Sequence, residues 1–188
     1  MTGVKAARPR VSYADLERWP DDGRRYELYD GEVYVVPSPI LLHQIAAARL
    51  YLALSEYVKA HGGIVLFASL DIVPTEYDVV QPDILLFIAQ RKHLLNAERV
   101  TRVPPDLAIE ILSPSTASND RGRKKRLLAR HAVREYWLVD PKAPSIEVCR
   151  LSDGELAISH TATAADSVRS ALLPELSLRS SDLVSDLP

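Results

Sequence analysis

The chain is poor in cysteine, glycine and aromatic side chains. Cys149 is the single cysteine in 188 residues, which excludes an intrachain disulfide and a thiolate zinc cluster and removes any need for an oxidising compartment. Seven glycines exclude a collagen-like repeat. No apolar run approaches the roughly 18 residues that span a bilayer. Met1 to Arg10 lacks the apolar stretch of a secretory signal. A cytoplasmic protein without a membrane partner is therefore expected. What is present is ordinary: 47% hydrophobic and 26% charged residues, enough apolar surface to offset the ordering entropy of a folded chain. The length favours one domain over residues 12–188, preceded by a flexible arm over 1–11.

The net charge of −2 hides an asymmetry. Residues 1–150 sum to +2 and residues 151–188 to −4. Arg121, Arg123, Lys124, Lys125, Arg126, Arg130 and Arg134 form a dense basic block. Such a block reads either as a phosphate-collecting surface or as the solvated face of a helix.

Hydrophobic patterning gives the order of elements. Ser12 with Asp15 three residues on predicts a capped helix over Tyr13 to Trp19. Asp30-Gly31 between two apolar runs predicts a hairpin. A 3.6-residue period predicts a long helix from Ile40 to Ala60, ended by Gly62-Gly63. Strands are expected over Ile64 to Phe67, Leu70 to Val73, Asp83 to Ile88 and Asp106 to Leu112. Asn119 or Asp120 is expected to cap a basic helix running to His131. Further strands follow over Val133 to Val139, Ser145 to Arg150, Glu155 to His160 and Ser167 to Leu173. The whole predicts an α/β protein with a mixed central sheet flanked by helices.

Glu110 stands out. It lies in Leu107-Ala108-Ile109-Glu110-Ile111-Leu112, apolar on both faces of the strand, where an unpaired carboxylate costs several kcal/mol or becomes protonated. It must meet a cation, a hydrogen-bond donor, a metal ion or water; a buried pair with Arg or Lys is the plainest of these. Asp83 opens a neighbouring strand after Pro82. Asp after Pro is also a common way simply to begin a strand. Two acids entering adjacent strands can lie a few ångströms apart; like charges that close need a cation between them, and without a Cys or His cluster a hard ion such as Mg²⁺ or Mn²⁺ suits them better than zinc. Glu27 is either a third carboxylate or the surface partner of Arg24 or Arg25. His43 is either a hydrogen-bonded rim residue or part of the site, and Lys124 or Lys125 either points back to the acids or stays exposed.

These residues resemble a bacterial restriction-endonuclease-like family of the PD-(D/E)XK nuclease superfamily. The resemblance is carried in order by Tyr26-Glu27-Leu28-Tyr29-Asp30-Gly31-Glu32, Pro37-Ser38-Pro39 with His43, and Gln81-Pro82-Asp83. It continues through Pro105 to Thr116, Asp120 with Lys124, Glu135 to Pro141, and Leu173-Pro174-Glu175-Leu176. It implies a restriction-endonuclease-like core and a metal-dependent endonuclease acting on DNA. Asp83 and Glu110 would hold the metal with the carbonyl of Ile111, and Glu27 would be the acid from the N-terminal region. The superfamily lysine position is occupied by Leu112, and Lys124 on the next helix takes its place, with Lys125 one register step away. Arg121, Arg123, Lys125, Arg126 and His43 would contact the nucleic acid. Leu128 and Ala132 depart from the family's usual Tyr and Gly.

Two rival readings remain at this level. A nuclease fold without turnover would bind nucleic acid or protein through the same basic helix. A two-carboxylate glycosidase fits poorly, since only 6% of the residues are aromatic and Lys124 is left without a role. A homodimer is expected, with Tyr136-Trp137 either packed inside or forming a two-fold interface.

Overall fold

The computed structural model describes residues 9–185. The expected arm falls, over residues 1–8, outside the described residues. Arg10 and Val11 are tied to the first hairpin: Arg10 Nε donates to the Asp30 carbonyl at 2.9 Å and Val11 N to that of Gly31 at 2.9 Å. Ser12 and Asp15 form the expected capping box at the start of α1, Tyr13–Leu16, which ends three residues earlier than predicted.

The hairpin β1, Arg25–Tyr29, and β2, Glu32–Val36, pairs in full register. Asp30 and Gly31 both take positive φ, +54° and +81°, the twist that matches two paired strands. The long helix α2, Leu41–His61, buries Ala46, Leu50 and Leu54. Then follow β3 (Ile64–Phe67), β4 (Ile72–Thr75), β5 (Asp78–Val80), β6 (Ile84–Phe87) and β7 (Leu107–Ile111). The basic helix comes next, in three parts: α3 (Ala117–Asn119), a wide π turn over Asp120–Lys124, and α4 (Lys125–Arg130). It starts before Asn119, so neither Asn119 nor Asp120 caps it. The strands β8 (Glu135–Asp140), β9 (Ser145–Ser152) and β10 (Glu155–Thr163) follow, and a 3-10 turn over Ser180–Leu183 ends the described order.

Among the described residues ten strands form two sheets, β2-β1-β5-β4 and β10-β9-β8-β7-β6-β3. In the larger one only β7 and β8 run parallel, because a parallel pair needs a crossover and the basic helix supplies it. One face of this sheet, with Ile84, Ile109 and Trp137, packs on Leu50 and Leu54 of α2. The other, with Leu85, Ala108, Tyr136 and Leu138, packs on Leu127 and Leu128 of α4 and on Tyr29 and Val80 of the smaller sheet. The mixed sheet between helices is the architecture expected from the sequence.

Of the two readings left open for Tyr136 and Trp137, the packed one holds: neither has exposed surface, and they point to opposite faces of a central strand and fill both halves of the core. One strand expectation is corrected. Ser167 to Leu173 is not a strand, and only Ser167 bridges, to Arg179. The buried carboxylate of Glu135 accepts from the amides of Ala171 and Leu172 and from the Ser170 hydroxyl, taking donors that a strand would have given to a neighbour.

Ala132 closes the basic helix in the left-handed conformation, φ +59°, with Val133 N bonded to the Leu128 carbonyl and Ala132 N to that of Ala129. This is a Schellman stop that favours glycine. Ala132→Gly is expected to raise stability by about 1 kcal/mol, read as a higher midpoint in urea unfolding with an unchanged slope.

Candidate active site

The π turn explains how one helix sends two charged side chains inward. Asp120 and Lys124, its first and last residues, are both 3% exposed, and such wide turns recur at functional sites. Lys124 Nζ lies 2.5 Å from Glu110 Oε1 on β7 and 2.7 Å from Glu27 Oε1 on β1. Glu27 is in turn held by the Gln81 amide at 2.8 Å and the Tyr29 hydroxyl at 2.6 Å, and Asn119 Nδ2 donates to that hydroxyl at 2.8 Å. Glu27 is therefore buried against Lys124 and not paired at the surface with Arg24 or Arg25.

Asp83 immediately precedes β6. Ile84 lies opposite Ile109, which places Asp83 beside Glu110. Asp83 Oδ2 accepts from Ile111 N at 2.9 Å and meets His43 Nε2 at 3.0 Å. An ionised carboxylate only accepts, so Nε2 carries the hydrogen and His43 is held within the site. Glu27, His43, Asp83, Glu110, Ile111, Asp120 and Lys124 all line one cavity of about 190 Å³.

The remaining basic residues named from sequence are elsewhere. Arg121 pairs with Glu147 at 2.6 Å, and Arg123 pairs with Glu32 and lies over the Tyr29 ring. Lys125 is half-buried beside Cys149, and Arg126 is exposed. Of the two candidate lysines, Lys124 is the one that meets the carboxylates.

Charge is out of balance in this cavity: Glu27, Asp83, Glu110 and Asp120 surround one ammonium. Burial pushes the Glu110 carboxyl well above its ordinary value; Lys124 opposes the shift, and Asp83, Asp120 and Glu27 add to it. Burial likewise pushes Asp120 up to about 6, against the pull of Lys124. Burial alone would lower the Lys124 pKa, but Glu110 and Glu27 raise it well above the ordinary lysine value. For Asp83, burial acts upward and is outweighed by His43 and the Ile111 amide, so its carboxyl stays below the usual range.

Other buried acids show what a purely structural carboxylate looks like. Asp106 is satisfied by Ile88 N, Arg91 and Arg134, and Asp78 by Asp30 N, Arg130 and His131. In the cavity, by contrast, Asp120 Oδ2 and His43 Nδ1 are buried with no hydrogen-bond partner among the described residues, and Glu110 Oε1 touches Lys124 without a directed hydrogen bond. Burying polar atoms unsatisfied costs about 1–3 kcal/mol each, so these atoms fit a site built for a cation and water. Among the described residues no three His, Cys, Asp or Glu side chains form a ready-made metal cluster. Mg²⁺ does not require one, since it commonly takes one or two carboxylates and keeps several waters.

From the sequence, Asn119 and Asp120 had no role beyond a cap, and Tyr29 none beyond its place in the Tyr26 to Glu32 motif. The four-residue step from Asp120 to Lys124 was the available signal, because it puts both on one helix face.

This mixed sheet, with an acid–acid–lysine cavity at the ends of β6 and β7, defines a restriction-endonuclease-like fold. The crystal structure of a putative nuclease belonging to DUF820 from Anabaena variabilis shares it, with a TM-score of 0.77 at 21% identity over 93% of this chain and 98% of that one. A family model described as Putative restriction endonuclease (Uma2) matches residues 13–181, and the chain belongs to that family. An uncharacterized protein of Synechocystis sp. is 25% identical over 150 residues, covering 77% of this chain and 76% of that protein. No described helix is long and apolar enough to cross a membrane.

Proposed function

We propose that this chain is a divalent-metal-dependent endonuclease that hydrolyses phosphodiester bonds in DNA, acting in the cytoplasm as a homodimer. The observation that carries the reading is the surplus of buried carboxylates over ammonium in one cavity, with acceptor atoms left unsatisfied. Asp83 and Glu110, with the Ile111 carbonyl, would hold Mg²⁺ or Mn²⁺. Such an ion supplies Lewis acidity toward a phosphoryl oxygen and a bound water of lowered pKa.

The other groups have roles that follow from their contacts. Lys124 stays charged between Glu110 and Glu27 and orients a nucleophilic water or stabilises charge that develops on phosphorus. Glu27, braced by Tyr29 and Asn119, fixes the ammonium. His43 and the Ile111 amide fix the rotamer of Asp83 and keep it ionised.

Plasmid nicking with Mg²⁺ or Mn²⁺ tests the reading. Wild type is expected to convert supercoiled plasmid to open circle, and Asp83→Ala and Glu110→Ala are expected not to. Cleavage that survives in both variants would falsify it. Folded wild type that binds Mn²⁺ without cleaving would favour the binding-module alternative. Light scattering reads the dimer.

A further inference from the structure

Beside the catalytic cavity lies a second one of about 530 Å³, and the two share Arg25, Pro39, His43 and Asp83. That volume lies within the range of small-molecule pockets. One wall is a stripe of α2, in which His43, Ala47 and Tyr51 follow at four-residue steps with Gln44 and Ala48 alongside. The two alanines leave the groove deep. The facing wall is the end of β3, where Phe67 is 61% exposed and meets the Tyr51 ring edge-on at 5.1 Å. A phenylalanine so exposed gains little from the core. Its ring is presented to whatever enters the groove.

The polar groups at the rim are uncommitted. The side chains of Gln44 and Ser69 make no hydrogen bond among the described residues, and both line the cavity. Arg25 stands where the two cavities join. Its guanidinium donates to the Pro37 carbonyl at 3.3 Å and forms no ion pair among the described residues, whereas Arg121 and Arg123 are already paired with acids.

We propose that this second cavity is a nucleobase subsite, which takes the unstacked base of a nucleotide next to the scissile phosphate and makes nucleic acid with unpaired nucleotides the substrate. The proposal rests on the nuclease reading above, because it places the phosphate at Asp83 and Glu110. Continuity with that site fixes the occupant: a chain whose phosphate lies in the first cavity carries its base toward the second and its neighbouring phosphate past Arg25. The base would stack on Phe67. Its edge would meet the Gln44 amide and the Ser69 hydroxyl, which can each donate and accept, so bases of either pattern are tolerated. A base held in a duplex must first be unstacked and unpaired, which single strands avoid.

The test is anisotropy with a labelled single-stranded oligonucleotide of about 12 nucleotides and its duplex, without divalent cation so that nothing is cleaved. Wild type is expected to bind the single strand about tenfold more tightly than the duplex. Phe67→Ala is expected to weaken single-strand binding about fivefold or more. Ala48→Leu fills the groove from an exposed helix position and is expected to do the same. Both variants should leave duplex binding and thermal unfolding as in wild type. Equal affinity of wild type for both forms, or single-strand binding unchanged in the two variants, overturns the subsite while plasmid nicking leaves the nuclease reading standing. Wild type that binds neither oligonucleotide overturns the subsite, and an inert plasmid then removes the nuclease reading as well.

Discussion

Asp83→Asn is expected to fold and to lose phosphodiester hydrolysis by roughly 10²–10³-fold. The amide oxygen of asparagine can still accept from Ile111 N, which Asp83 Oδ2 now does at 2.9 Å, so the end of β7 keeps its anchor. What disappears is the negative charge. The Asp83 carboxyl lies below the ordinary range despite its burial, because His43 and the Ile111 amide outweigh it, so it offers a full charge to a cation at neutral pH. Steady-state nicking rates and a thermal melt, taken together, separate loss of chemistry from loss of structure. A variant that melts like wild type and still cleaves at a tenth of its rate or better would remove Asp83 from the reaction.

Lys124→Met carries the second large effect, this time on both activity and stability. The ammonium is the common counter-charge of Glu110 and Glu27, at 2.5 and 2.7 Å, and both partners are buried. Removing one member of a buried ionic set leaves the others uncompensated at a cost of about 3–5 kcal/mol. The loss should be smaller in acid. Glu110 is already pushed up by burial; a carboxyl with a raised folded-state pKa stabilises the fold while protonated, and that contribution fades as pH rises. The variant should therefore regain stability as the pH falls from neutral toward the ordinary carboxylate range, followed by urea unfolding at a series of pH values. Unfolding that matches wild type throughout would show that the three charges are not coupled.

Much of this site was legible because its strongest signal is local. A glutamate in an otherwise apolar strand is visible in six residues, and the Asp30-Gly31 hairpin and the period of α2 are visible in short windows. The contacts that complete the site span long separations. Tyr29 to Asn119, Glu27 to Gln81 and His43 to Asp83 join elements that only the folded sheet brings together. The same separation hid the partners of Arg121 and Arg123, which looked free in the sequence and are held by Glu147 and Glu32. The three-residue β5 was missed because it is too short to show a period, although Asp78 at its start ties it to Arg130 and His131. The π turn has no residue signature comparable to a cap or a glycine stop; the four-residue step puts Asp120 and Lys124 on one face, but only the folded chain shows that this face points inward.

The proposed chemistry requires a cation held by Asp83, just before β6, and by Glu110 of β7. Mn²⁺ binding, measured by calorimetry on wild type and Glu110→Gln, tests this most directly. Glutamine keeps the size of the side chain and removes its charge beside Lys124. Wild type is expected to bind Mn²⁺ and Glu110→Gln to bind it at least about tenfold more weakly. Wild type that takes up no Mn²⁺, or a variant that binds it with the same affinity, would contradict the account.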